Sequence, residues 1–524
     1  MNDTRSLTVG IAADPTPDLA PPPPMTTTTK LGLGTLGAAL LLGLLGDGLL
    51  RAFPWGINLP LWVALLIAAL FLLAQWQRVP LTGGGRWLAL PILFFSGAIA
   101  WRASPALTFF SVLALLLSLG LAASRTRAGR IAISGIAEYA MLLVSAGING
   151  ILGALFLLFG TIQWKTLPRQ RWSGPVMAIG RGLAISLPLL LLFGGLFAAA
   201  DAVFDGIVRD LFDWDIDKIF SHFFLFAFWS WLVGGFLHQT LLSTFELPTG
   251  IERPRFLSLG LIEVSMVLGA LNVLFLAFVL VQFRYFFGGA ILVEATLGLT
   301  YAEYARRGFF ELVTVATLLL PLLLLLHWLL RRGEDRQPAL FNALSGALIL
   351  MMFVIMVSAV QRMRLYQTEF GMTELRLYTT AFMGWLAVVF VWFVATVLRG
   401  RRASFASGAL GAGFATLALL LAMNPDAFIV RNNVARQQAP QPFDRGYVTT
   451  LSGDAVPALI ETLPQMKPED SCLIASYLLV GWSAPEEKDW RTWNWARSQA
   501  WAAVEANRPA LEEMACPGRG DSDF

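Results

Sequence analysis

Residues 309–330 read Phe-Phe-Glu-Leu-Val-Thr-Val-Ala-Thr-Leu-Leu-Leu-Pro-Leu-Leu-Leu-Leu-Leu-His-Trp-Leu-Leu, with a single carboxylate, Glu311. At a rise of about 1.5 Å per residue, a helix of this length covers the roughly 30 Å hydrocarbon layer of a bilayer. Only helices and closed barrels satisfy their backbone groups in lipid, and the run lacks the two-residue alternation of a barrel strand. It therefore reads as a transmembrane helix. Working outward, further apolar runs lie near 31–50, 57–76, 87–101, 105–124, 131–160 and 182–200, then near 219–243, 257–281, 339–361, 377–398 and 404–423. Across all 524 residues, 56% are hydrophobic and only 14% charged. A soluble chain carries about a quarter charged residues, so a water-soluble globule is excluded.

The fold class expected is all-α: a polytopic transmembrane helical bundle of 11–12 spans over residues 30–423, followed by a small helical extracytoplasmic C-terminal domain over 424–524. Residues 1–29, with Pro21–Pro24 and a run of threonines, have no apolar periodicity and read as a disordered Pro/Thr-rich tail. No basic segment runs directly into an apolar core before Lys30, so the first run reads as a retained anchor rather than a secretory signal. The C-terminal segment holds nine Lys/Arg against fourteen Asp/Glu. No block of the chain forms a nucleic-acid patch.

Basic residues in the gaps between spans set topology. Those before Arg130 and those after Lys165 agree on one cytoplasmic face only if residues 131–160 fail to change sides. That stretch is broken by Gly147, Asn149 and Gly150 and carries Glu138. It reads either as a re-entrant hairpin or as one long helix with a glycine kink. The hairpin reading gives a cytoplasmic N-terminus and an extracytoplasmic tail. In that compartment Cys472 and Cys516, the chain's two cysteines, can form a disulfide; free cysteines are the alternative.

Five segments stand out: Gly46-Asp47-Gly48, Ala200-Asp201-Ala202-Val203-Phe204, Tyr301-Ala-Glu-Tyr-Ala-Arg-Arg-Gly-Phe-Phe-Glu-Leu312, Asn424-Pro-Asp-Ala-Phe-Ile429 with Asn432, and Asp454-Ala-Val-Pro-Ala-Leu459. Together they resemble a bacterial multi-pass membrane family catalogued as domain-of-unknown-function 4173, with its sister family 4153. The resemblance implies a multi-pass bacterial membrane protein without an assigned reaction, and carries over no catalytic residue.

Ionisable groups among membrane spans are costly and face a bundle interior or a cavity. Glu303, Arg307 and Glu311 fall at i, i+4 and i+8, one helical stripe with Arg306 beside it. The alternative places them in solvent at a helix start. Glu263, Glu138, Asn149 and Asp47 complete the candidate polar groups. The aspartates of 201–218 do not complete a calcium loop, because Lys218 stands where glycine is required. His222, His238 and His327 show no metal-ligand spacing, and no Walker loop, nucleophile elbow or cysteine pair of zinc type occurs. No cofactor, metal or catalytic residue is expected. Two functions remain: a transporter or translocation-type protein whose charges line a pathway, and a noncatalytic sensor or envelope-assembly component whose residues 438–524 bind an extracytoplasmic protein partner. The density of ionisable groups near the spans leans toward transport. Transport requires charges converging at mid-depth, an anchor charges at the rims.

Overall fold

The computed structural model describes residues 26–79, 85–125, 136–164, 216–243, 258–297, 309–330, 337–437 and 443–516, with isolated positions between 179 and 201. These residues are all-α, with one isolated bridge between Leu259 and Leu330. In chain order the helices are α1 (Thr27–Leu50), α2 (Asn58–Trp76), α3 (Ala89–Trp101), α4 (Pro105–Arg125), α5 (Ile136–Leu155), α6 (Ile216–Leu241), α7 (Leu261–Leu297) and α8 (Phe309–Leu329). Then come α9 (Gln337–Phe370), α10 (Glu374–Thr396), α11 (Phe405–Met423), α12 (Pro425–Gln437), α13 (Arg445–Thr449), α14 (Val456–Thr462), α15 (Pro468–Gly481), α16 (Trp495–Ala506) and α17 (Arg508–Met514). Among the described residues ten helices are long and apolar enough to cross a membrane, and α3 is a shorter apolar helix. The protein is a polytopic membrane protein. The expected run at 182–200 lies largely outside the described residues, as do 1–25.

Three apolar cores organise the chain. The first joins α1 to α4 and α6, around Trp62, Ile92, Phe95 and Leu237. The second joins α7 to α10, around Phe341, Phe390 and Phe393. Helix α11 is shared, giving Ala406 and Leu421 to the first core and Phe405 to the second. The third core is the tail, α12 to α17, joined by Met372 and Leu377 of the bundle.

Lipid gives little hydrophobic drive between helices, so close backbone approach matters. A Cβ at Gly43 of α1 would lie 1.9 Å from Ser230 Oγ of α6, and one at Gly235 of α6 would lie 2.0 Å from the Gly150 carbonyl of α5. Trp392 of α10 packs on Gly408 of α11, and its indole N–H donates to the carbonyl of Ser404, just before that helix, at 3.2 Å. A Cβ at Gly408 would collide with that indole.

Of the two readings of residues 131–160, the structure has the single helix. Helix α5 runs unbroken through Gly147, Asn149 and Gly150 and ends in a π-helical turn, Phe156–Thr161, so there is no hairpin elbow. Glycine in a helix costs about 1 kcal/mol relative to alanine, too little to break one whose small residues let α6 pack closely. Thr161 and Ile162 at its far end lie against Gly32, near the start of α1. Gly288 and Gly289 likewise lie inside a helix, α7.

Asn424 ends α11 with φ 56°, in the left-handed region, and its side chain accepts the Ala427 N–H at 3.3 Å. Pro425 then starts α12, as an Asn-Pro pair predicts, because proline's missing N–H is not needed in a first turn. In the tail, Cys472 and Cys516 are joined by a disulfide with Cα atoms 5.0 Å apart.

Candidate functional site

The turn between α3 and α4 is three residues long, Arg102 to Ser104. Its one charged residue, Arg102, is held by groups on two neighbouring elements. The Arg102 guanidinium stacks on Trp101 at 4.5 Å and donates from Nε to the Leu421 carbonyl at 2.7 Å. It thus caps the C-terminal end of α11, where a cation is favoured by the helix dipole. Its other arm donates to Asp454 Oδ1 at 3.0 Å.

Asp454 comes from the tail, and its Oδ2 accepts the N–H groups of Ala103 at 2.6 Å and Ser104 at 3.1 Å. These lie at the start of α4, whose first residue is Pro105. A carboxylate there complements the positive end of the helix. The ion pair is almost dry, with side chains 11% and 1% exposed for Arg102 and Asp454. One tail carboxylate and one bundle arginine therefore satisfy the ends of two membrane helices.

A second layer lies beside this pair. Ser104 Oγ sits 3.4 Å from both Glu374 Oε1 and the Tyr378 hydroxyl. Asp426, the second residue of α12, is fully buried. Its Oδ2 accepts the Ser452 N–H at 3.1 Å and the Ser452 hydroxyl at 2.6 Å. Its Oδ1 is buried without a donor. Burial pushes the Asp426 carboxyl above its ordinary range, with the Asp454 charge adding to the rise and Arg102 opposing it. The Tyr447 hydroxyl accepts the Glu374 N–H at 2.7 Å, and burial pushes the phenol up to about 12. Asp454 thus pairs with the Arg102 guanidinium, Asp426 feels its charge, and Glu374 lies beside Asp426.

Among the described residues, further bonds hold the tail to the turns at the ends of α1, α3 and α9. Asn433 pairs twice with Met372 in the α9–α10 elbow, at 2.7 and 2.9 Å. Asn494 donates to the carbonyls of Ile99 and Arg102, both at 2.9 Å, and so caps α3. Arg491 donates to the Gly48 carbonyl at 2.7 Å, and the Trp493 carbonyl accepts the Ile57 N–H at 2.8 Å.

The residues singled out in the sequence fall elsewhere. Asp47 is buried and binds Arg51 at 3.0 Å and His222 at 2.6 Å, which ties the end of α1 to α6. Glu263 is exposed and accepts the Gly260 N–H, an ordinary helix cap. Glu311 is exposed in the first turn of α8. Asn149 is buried in α5, and Glu138 falls in that helix's first turn. Glu303, Arg306 and Arg307 lie outside the described residues. Among the described residues no group of His, Cys, Asp and Glu could hold a metal ion. His238 sits 3.0 Å from Thr161 Oγ1, and His327 packs on Phe341.

Arg102, Ser104, Glu374, Ser452 and Asn494 were not legible as a site. The available signal was the length of the Arg102 turn. Asp426 and Asp454 stood inside two of the resembling segments, but only as parts of a pattern.

A family model described as "Domain of unknown function (DUF4153)" matches residues 89–462. The match starts on the first residue of α3 and ends on the last of α14, and so includes Arg102, Glu374, Asp426 and Asp454. It is the sister family, rather than 4173, that the chain matches. No curated protein and no solved structure matches the chain. With its ion pair, its bundle and its docked tail all inside or bordering the matched segment, the chain belongs to the family of domain of unknown function 4153.

Proposed function

We propose that the protein is a noncatalytic sensor or envelope-assembly component, in which the helical bundle anchors the tail and holds it rigidly at one membrane face for an extracytoplasmic partner. The observation that carries this reading is the Arg102–Asp454 pair. The Arg102–Asp454 cluster lies at the joint between bundle and tail, and the Asp47–Arg51–His222 cluster at the end of α1; charges at helix ends are what an anchor needs. Transport, favoured by composition, rests on the stripe of Glu303, Arg306, Arg307 and Glu311, three of which lie outside the described residues.

We place the N-terminus in the cytoplasm of a bacterial inner membrane and the tail outside. Two observations support this. The Cys472–Cys516 disulfide belongs to an oxidising compartment. Arg78, Arg86, Arg125, Arg399, Arg401 and Arg402 border helix ends remote from the tail, as cytoplasmic arginines do.

The test combines two measurements. Proteoliposomes of the full chain are assayed for proton, sodium and potassium flux under an imposed potential, and cells lacking the protein are complemented with Arg102→Met. The expectation is no flux above empty vesicles, and failed complementation by a variant that still inserts. Flux abolished by Glu303→Gln or Arg307→Gln would overturn the reading in favour of transport.

A further inference from the structure

A groove of ≈ 610 Å³ opens between the C-terminal half of α9 and the start of α10, within the range of small-ligand sites. Its floor is apolar: Phe353, Met356, Val357, Val360, Met383 and Ala387. Its polar end is formed by Gln361, Arg364 and Thr380. From Phe353 to Arg364 the helix rises about 16 Å at 1.5 Å per residue, which is close to the depth of one leaflet of a roughly 30 Å core. The polar end therefore lies at headgroup level when the apolar end reaches the bilayer centre.

Arg364 differs from the arginines around it. Arg362 donates to Gln282 at 2.8 Å, Arg376 stacks on Tyr366 at 4.0 Å, and Arg436 donates to the Thr368 carbonyl at 2.6 Å. Arg364 has no ion pair, hydrogen bond or ring contact among the described residues, and neither does Gln361. The Thr380 hydroxyl donates to the Arg376 carbonyl and can still accept. An unpaired guanidinium above an apolar trough has the charge and shape of one end of an anionic amphiphile.

We propose that this groove binds an anionic phospholipid of the tail-side leaflet, with one acyl chain along Phe353, Met356 and Met383 and the phosphate on Arg364. The same two helices end at the Gly371–Thr373 elbow that Asn433 grips, so the seated lipid braces the hairpin on which the tail rests.

Gly384 lines the groove, and a Cβ there meets nothing within 4 Å. A side chain at Gly384 therefore starts in open space, so Gly384→Leu is the variant that fills the trough, and Arg364→Gln removes the charge while keeping a shorter polar side chain. The experiment is native mass spectrometry of the full chain in detergent, titrated with phosphatidylglycerol or with phosphatidylcholine of the same chains, with glycerol phosphate as a soluble competitor. The wild-type chain should retain the anionic lipid with about fivefold preference, the increment one arginine supplies near an anionic surface. Arg364→Gln should bring the two lipids to parity, Gly384→Leu should lower binding of both, and glycerol phosphate should not compete. Equal retention of both lipids by the wild type, or an undiminished preference in Arg364→Gln, would overturn the proposal. So would displacement by glycerol phosphate alone. Unchanged elution from a sizing column establishes that each variant is folded.

Discussion

Arg102 and Asp454 are 352 positions apart in the chain, and their side chains meet at 3.0 Å. Each also satisfies the backbone of a helix end, so the pair does more than cancel charge. Removing one partner of such a pair leaves an uncompensated charge in a dry site, which costs about 3–5 kcal/mol. Asp454→Ala should therefore release the tail, read as faster tryptic cleavage at Arg436 and Arg445 in detergent-purified protein. The double variant Arg102→Met with Asp454→Leu should recover most of the protection. Equal protease sensitivity of Asp454→Ala and wild type would show that the pair is not what holds the tail.

The joint should respond to pH through Asp426. Its ordinary value is 3.8, and burial raises it in the folded protein. Between 3.8 and the raised value the folded chain holds a proton that the unfolded chain has lost. Stability is then greatest below 3.8 and falls as pH rises through that window, levelling off above it. Asp426→Asn should flatten this fall in melting temperature over pH 4–8. An unchanged slope would assign the dependence to other groups.

The tail disulfide closes a loop of 44 residues. In the chain-entropy account such a link stabilises by about 4 kcal/mol. Cys472→Ser should lower the unfolding temperature of the tail without altering membrane insertion. Reduction of the wild type with dithiothreitol should have the same effect, and a null result from both would remove the link from the tail's stability.

Gly235→Val should separate α5 from α6, because its Cβ would sit on the Gly150 carbonyl. Overpacking of this kind typically costs about 1–3 kcal/mol. Gly37→Val faces open space and should be tolerated. Comparable expression and melting of the two variants would contradict the close crossing.

Most of the bundle was legible because lipid imposes a local rule. Residues 309–330 had to be helical, since no other open chain satisfies its backbone in hydrocarbon. The start of α12 was legible for an equally local reason, the Asn424-Pro425 pair. The site was not. The contacts of Asp454 with Arg102, Ala103 and Ser104 join residues separated by most of the chain, and no spacing rule reports them. Glu263 misled because a carboxylate near a span has two uses, and here it caps a helix. Gly147, Asn149 and Gly150 left two readings open because glycine marks either a break or a close approach; the approach of α6 was invisible without the fold.

The turn carrying Arg491 bonds to the Gly48 carbonyl across 443 positions. At about 5–20 residues per second, a ribosome needs roughly 20–90 s to pass from one to the other. Through that interval the early helices sit in the bilayer with Arg102 lacking its counterion and the rim of the first hairpins uncovered. Closure of the molecule is thus a late event in biogenesis, and a truncated translation product would present an open rim to whatever quality-control machinery patrols the membrane.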